Sequence, residues 1–280
     1  MKIIKKPYKL TARIKAIKKN GKTVGFVPTM GSLHEGHISL IKKARKENEI
    51  VVLSIFVNPT QFGPKEDYKK YPRNFSRDKA IAKKAGVDIV FAPSAENMYP
   101  EGVSTCVEET NLSKILEGAI RPGHFKGVTT VVLKLFNIVQ PDISYFGQKD
   151  YQQAVIIKKM VKDLNLDTNI KVLPTVREKD SLALSSRNIY LNQEERKSAT
   201  ILCHSLTSAK KLIENGLTNT EEVKKKIRTM IKKEKISGID YIEIRELETL
   251  QPVKKITGKV VILLAVRIGK VRLLDNMIIK

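Results

Sequence analysis

The sequence predicts an α/β protein: a doubly wound parallel sheet over residues 1–180, followed by a smaller α+β domain over 181–280. In the first part, short apolar and β-branched runs alternate with longer segments of helical periodicity. Parallel strands covered on both faces read as near-continuous apolar runs, and each pair needs a helical crossover. After residue 190 the order changes to helices first and strands afterwards, the pattern of a separate α+β unit.

The strand-like runs are TVGFVPT (23–29), EIVVLSIFV (49–57), VDIVFAP (87–93), DISYFG (142–147) and NIKVLPTV (169–176). Between them HISLIKKARKEN (37–48), FSRDKAIAKKAG (75–86), VTTVVLKLFNIV (128–139) and DYQQAVIIKKMVKDLN (150–165) are helical. In the last of these Val155, Ile156, Met160, Val161 and Leu164 recur at helical spacing. Ligands of such sheets bind outside the carboxyl ends of the strands, so the loops after 29, 57, 147 and 176 are expected to converge on one cleft. SLALSSRNIYLN (181–192) joins the two patterns. Helical segments 193–215 and 220–235 then precede the strands IDYIEIREL, KVVILLAVRIG and KVRLLDNMII.

Hydrophobic residues make up 41% and charged residues 29% of the chain, an ordinary globular balance. No segment reaches about 18 apolar residues without a charge, and the N-terminal MKIIKKPYKL lacks an apolar core, so no membrane partner and a cytoplasmic location are expected. Cys106 and Cys203 lie far apart without C-x-x-C spacing, which argues against a zinc site or a disulfide framework; both read as buried or inert thiols. The net charge of +23 invites a nucleic-acid reading. Its densest run, however, is Lys224, Lys225, Lys226, Arg228, Lys232, Lys233 and Lys235, with Val223, Ile227, Met230 and Ile231 opposite. That spacing describes an amphipathic helix with a solvated basic face, and no nucleic-acid partner is expected.

Chemistry is concentrated in PTMGSLHEGHISL (28–40), where Pro28 ends a strand, Gly31 and Gly36 relax the backbone, and His34 and His37 frame a helix start. Unpaired amides and the helix dipole at such a turn favour phosphate, and two imidazoles can add donors to oxygens whose charge grows in a transition state. The segment is not a P-loop, because His37 and Ile38 stand where Lys and Ser/Thr belong, nor the H-E-x-x-H of a zinc protease. NPTQFGPKEDYKKYPRN follows the second strand, and its Asn58 and Gln61 offer neutral amides for hydroxyls and carboxylates; a turn built by Asn-Pro is the structural alternative.

Further along come RPGHF (121–125), GQKDYQQ (147–153) and LSSRN (184–188). With PTMGSLHEGH and NPTQF these five ordered blocks resemble the pantothenate synthetases, or pantoate–β-alanine ligases, within the larger class of H-x-G-H nucleotidyltransferases. The resemblance implies a Rossmann-like domain that binds ATP and pantoate, with the smaller domain acting as a lid. The implied reaction is ATP- and Mg²⁺-dependent condensation of pantoate with β-alanine through a pantoyl-adenylate, releasing AMP and pyrophosphate, in a homodimer. Met30, Gly31, Ser32, Leu33, His34, Glu35, Gly36 and His37 would bind ATP, with His37 as proton donor and His34 and Lys149 sharing the catalytic work. Gly147, Gln148, Lys149 and Asp150 would hold ribose and phosphates, with Asp150 accepting from ribose or binding the metal. Val176 would meet adenine through its backbone, while Leu184, Ser185, Ser186 and Arg187 would close over the triphosphate. Gln61 and Gln153 would grip pantoate.

Three further points stay open in the sequence. Ser181 and Leu184 stand where many members carry glycine and methionine, and Gln148 where an acid is common. His124 reads either as a cleft residue or as a structural loop histidine, and His204 as a packing residue on a helix. The metal ligands are not identified; Asp78 on the helix after the second strand run is one candidate. Another H-x-G-H nucleotidyltransferase would explain the first motif but has no need of NPTQF and GQKDYQQ.

Overall fold

The apolar runs form parallel strands because their β-branched residues fit a pleated surface buried on both sides. The computed structural model describes every residue except Lys65, Lys235, Ser237 and Lys280; Lys235 of the basic run thus lies outside the described residues. In chain order the elements are β1 (Lys2–Ile4), α1 (Pro7–Lys19), β2 (Val24–Thr29), α2 (Glu35–Glu47), β3 (Ile50–Ile55), α3 (Phe75–Lys84), β4 (Ile89–Phe91), α4 (Ala95–Met98), α5 (Glu117–Ile120), α6 (His124–Val139), β5 (Ile143–Gly147), α7 (Tyr151–Asp163), β6 (Asn169–Leu173), α8 (Gln193–Ala199), α9 (Ile201–Glu214), α10 (Thr220–Ile231), β7 (Gly238–Glu246), β8 (Val260–Ile268) and β9 (Val271–Ile279). They divide into two compact units, Met1–Gly147 with Gln152–Pro174, and Gln148–Tyr151 with Thr175–Lys280.

The first unit holds a six-stranded sheet in the order β1-β4-β3-β2-β5-β6, every pair parallel. From β2 the chain steps outward through β3 to β4, whereas β5 and β6 lie on the other side, so the order reverses between β2 and β5. There only Gly25↔Ile143 and Phe26↔Ser144 are paired, while β2 stays paired with β3 to Thr29. Pro28 has no amide to give a ladder. The two central strands therefore part toward their carboxyl ends, which is where this class of sheet binds ligands.

Val27, Val51, Leu53, Val90 and Tyr145 pack one face of the sheet against Leu40, Ile41 and Ala44 of α2 and Ala82 of α3. On the other face Phe136 of α6 meets Phe26 and Phe146 edge-on, with ring centroids 6.4 and 6.5 Å apart. Helices thus cover both faces. β1 and α1 were not anticipated from the sequence: β1 is three residues long and mostly exposed, although Pro7 at the first turn of α1 is a recognised start signal.

In the second unit β7, β8 and β9 form an antiparallel sheet with β8 central. Leu202, Leu206 and Ala209 of α9 and Val223, Ile227 and Ile231 of α10 pack with Ile262, Leu264 and Val266 of β8. Lys225 and Lys226 of α10 are exposed, as the amphipathic reading requires, whereas Lys224 is half-buried beside Glu221 and Glu243. The expected helix 193–215 is broken at Thr200, whose hydroxyl donates to the Lys197 carbonyl at 2.8 Å. His204 faces solvent rather than the core, and Cys106 is exposed while Cys203 is buried.

Candidate active site

The loop between β2 and α2 is built from within. Thr29 donates its hydroxyl to the Ser54 carbonyl at 2.7 Å and accepts the Gly31 amide at 3.1 Å. Asp78 of α3, 1% exposed, accepts the Ser32 amide on one oxygen at 2.9 Å and the Leu33 amide on the other at 2.8 Å. Gly31 and Ser32 both take positive φ, +82° and +50°, and a Cβ on Gly31 would come within 2.9 Å of the Asp78 carboxylate. Asp78, a candidate metal ligand by sequence, is thus the acceptor that folds this loop.

His34 is the N-cap of α2, and its Nδ1 accepts the Gly36 amide at 3.2 Å. In return, the His37 Nδ1 accepts the His34 amide at 3.3 Å, and the two rings lie with centroids 4.1 Å apart. Because each Nδ1 is an acceptor, the neutral rings carry their protons on Nε2, on the side away from the cap. A Cβ on Gly36 would lie 2.9 Å from Cε1 of His34, so the glycine of H-x-G-H makes room for the capping ring. The expectation of unpaired amides needs correction: those of Gly31, Ser32, Leu33, His34 and Gly36 all have acceptors in the protein. The turn also presents the imidazole rings of His34 and His37 and the α2 dipole to an anion, with acidic Glu35 in the first turn.

Asn58 and Gln61 separate in role. Asn58, 1% exposed, donates to the Gly127 carbonyl at 3.1 Å and to Gln61 Oε1 at 3.2 Å, and accepts from Thr60 and from the Tyr99 hydroxyl at 2.9 Å. Its amide is consumed by the turn. Gln61 directs its Nε2 at the Met30 sulfur, 3.2 Å away, which joins this turn to the His34–His37 loop. Gly127 lets α6 pass against the turn, since a Cβ there would lie 2.3 Å from the Thr60 carbonyl. His124, at the start of α6, has both ring nitrogens engaged, Nδ1 with the Gln61 carbonyl at 2.8 Å and Nε2 with Arg121 at 3.1 Å. Gln152 bonds the Leu112 and Ile115 carbonyls and the Glu117 amide, leaving its half-buried neighbour Gln153 as the one with an uncommitted amide. Among the described residues Gln153 hydrogen-bonds to none of the groups named above.

A Cβ on Gly147 would meet no heavy atom within 4 Å, so the protein's own packing does not require glycine there. In the second unit Asn276 of β9, 2% exposed, donates to the Gln148 and Lys149 carbonyls at 3.0 and 2.9 Å and accepts from the Gln148 side chain at 3.1 Å. Lys149 reaches Asp150 at 3.4 Å. The Leu184 amide donates to the Val176 carbonyl at 3.0 Å, which brings two of the expected ATP residues together. Ser185 caps the 3-10 turn Ser186–Tyr190 by accepting the Arg187 amide at 3.3 Å. Beneath it Arg177 forms a bidentate pair with Asp275, 3% exposed, at 2.7 and 2.8 Å. Asp275 and Asn276 escaped the sequence reading; two adjacent polar residues inside the apolar run VRLLDNMII were the signal.

A model of the pantoate-beta-alanine ligase family matches residues 2–278. The pantothenate synthetase of Caldicellulosiruptor saccharolyticus is 55% identical over 280 residues, covering 100% of both chains. That of Fervidobacterium nodosum is 58% identical over 259 residues, 92% of each chain. The crystal structure of pantothenate synthetase from Thermus thermophilus superposes with a TM-score of 0.94 at 44% identity over 99% of both chains. A pantoate-beta-alanine ligase from Francisella tularensis, solved with a β,γ-ATP compound and β-alanine, gives 0.79 at 40% identity, covering 99% of this chain and 97% of its own. The chain therefore belongs to the pantoate-beta-alanine ligase family.

Proposed function

We propose that this protein condenses pantoate with β-alanine in an ATP-dependent reaction that passes through pantoyl-adenylate. The observation that carries the reading is the reciprocal cap of His34 and His37, placed at the carboxyl end of β2 where the sheet order reverses. In the first step a pantoate carboxylate oxygen attacks the α-phosphorus and pyrophosphate leaves. Charge grows on phosphate oxygens, and the Nε2–H groups of His34 and His37, fixed by their backbone bonds, supply donors that need no reorganisation. His37 is assigned the proton donor. Gln61 suits the acid: Asn58 anchors its Oε1, while its Nε2 rests on a thioether, a weak acceptor that a hydroxyl or carboxylate oxygen readily replaces. In the second step the β-alanine amine attacks the acyl carbon and AMP leaves, a step that needs mainly proximity.

In the second unit Lys149, Asp150, Val176, Leu184, Ser185, Ser186 and Arg187 are assigned to ATP. Among the described residues no three metal-ligating side chains gather. Mg²⁺ usually keeps water and takes most other ligands from phosphates with one or two carboxylates, and Asp150 would either hold it or accept from ribose. The ion would neutralise triphosphate charge. Membership of the family also supports a cytoplasmic homodimer as part of this reading, and among the described residues no helix is long and apolar enough to cross a membrane.

The test is AMP formation by the purified protein with ATP, Mg²⁺, pantoate and β-alanine, each omitted in turn, beside His37→Ala. Turnover should require both acids and fall about 10²–10⁴-fold in the variant. ATP binding without pantoate-dependent turnover would overturn the reading.

A further inference from the structure

Glu66, Arg121 and His124 form a chain of contacts that ends on Gln61 and takes no other part in the chemistry above. Glu66 grips Arg121 through two bonds, Oε1 to Nε at 2.7 Å and Oε2 to Nη2 at 2.6 Å. Arg121 in turn points Nη1 at His124 Nε2, 3.1 Å away, and Nη2 at the Gln61 carbonyl, 3.4 Å away. A guanidinium only donates, so Nε2 of His124 accepts and the ring proton sits on Nδ1. From there it donates to the Gln61 carbonyl at 2.8 Å. This is the tautomer opposite to that of His34 and His37, and both neighbours impose it, the Gln61 carbonyl as an obligate acceptor at Nδ1 and Arg121 as an obligate donor at Nε2.

Desolvation first, and the Arg121 charge second, pull the His124 pKa down to about 4. Burial thus disfavours protonation of the ring, and both of its nitrogens are engaged with protein groups, which suits a positioning role. Burial works to raise the Glu66 carboxyl, but hydrogen bonds and charge from Arg121 outweigh it and hold the group ionised. The close passage of Gly127 against Thr60 and Gln61 fixes the same turn from the α6 side. Asn58 holds the side-chain oxygen of Gln61, and the relay adds hydrogen bonds to its backbone carbonyl.

We propose that Glu66, Arg121 and His124 are positioning residues: Arg121, held by Glu66, fixes the His124 ring through Nε2, and His124 orients Gln61 toward the acid substrate through its Nδ1–H. The proposal rests on the functional reading above for the identity of that acid, but not for the tautomer. Nitrogen-15 spectra of the full-length protein at pH 7 should therefore show His124 protonated on Nδ1 and His34 and His37 on Nε2. In Arg121→Leu the Gln61 carbonyl should keep the proton on Nδ1, while the Nε2 resonance shifts as the hydrogen bond from Arg121 is lost.

Kinetics supply the second arm. His124→Leu should raise the pantoate KM about tenfold, the usual scale for a lost buried hydrogen bond, with the ATP KM within about twofold. His124→Asn, whose amide can still donate from the Nδ1 position, should recover most of the loss. Glu66→Gln should move the pantoate KM in the same direction by less. An Nε2–H His124, or equal changes in both KM values with no rescue by asparagine, would overturn the proposal; so would unchanged kinetics in a folded His124→Leu protein. Absence of pantoate turnover in the unsubstituted enzyme would instead count against the functional reading, and the tautomer spectra would still decide this one.

Discussion

Gly36 is legible in the sequence as one letter of a motif, but its reason appears only in the ring that leans over it. In Gly36→Ala the new methyl would displace His34, losing a cap of about 1 kcal/mol, while alanine returns about 1 kcal/mol of helix propensity. The two nearly cancel. Thermal stability should therefore change little, whereas misplacing both imidazoles should cost on the order of 10²-fold in kcat/KM for ATP. A fully active variant would show that the His34 cap is not needed. Charges not visible in the motifs also matter: Glu47 takes hydrogen bonds from Lys171, Lys43 and Tyr145, which lower its pKa to about 2. Its contribution to stability is present above the unfolded value near 4.5 and is lost as pH falls toward 2. His124 acts in the window above. Its folded pKa lies near 4 against 6.5, so the unfolded chain binds the proton first and stability falls as pH drops from 6.5 toward 4. Unfolding midpoints measured across pH should decline through both windows. His124→Asn should flatten the upper one and Glu47→Gln the lower; an unchanged profile in either variant would contradict the assignment.

Elements were readable where burial dictates composition. The strands of the parallel sheet are apolar runs because both faces are covered, and α2 and α10 show their periodicity because only one stripe of each is buried, whereas α6 is apolar on nearly every side because residues 127–132 are all buried. β1 carries too little buried surface to announce itself. The break at Thr200 has no glycine or proline to mark it; it rests on a hydroxyl competing with the helix ladder, which periodicity does not register. Ser181 departs from the family pattern, and its backbone gives that departure a meaning: φ is +72°, within a hairpin closed by the Glu178 amide on the Leu182 carbonyl. A left-handed serine costs about 1 kcal/mol, and glycine in its place loses about half of that through the freer unfolded chain. Ser181→Gly should raise the unfolding midpoint by a degree or two, on the order of 0.5 kcal/mol. A lower midpoint would mean that the serine side chain holds the turn.

Across the whole molecule, the residues expected to touch substrates are named by motifs, whereas the roles of the residues that support those segments are not legible in the sequence. Asp78, Gly127, Asn276 and Asp275 act through hydrogen bonds and close contacts between segments far apart in the chain, which no local spacing encodes. The net charge of +23 points to no specific site: of its densest run, Lys225, Lys226 and Arg228 lie on the exposed face of α10. What the motifs, the reversal of sheet order and the family membership support together is acid activation at a phosphate-binding turn, and oxygen bookkeeping tests this most directly. Pantoate labelled with oxygen-18 in its carboxylate should be supplied with ATP, Mg²⁺ and β-alanine, and the products weighed by mass spectrometry. Attack on the α-phosphorus predicts one labelled oxygen in AMP and none in pyrophosphate. Label confined to pantothenate, or appearing in any phosphate other than AMP, would contradict the adenylate route.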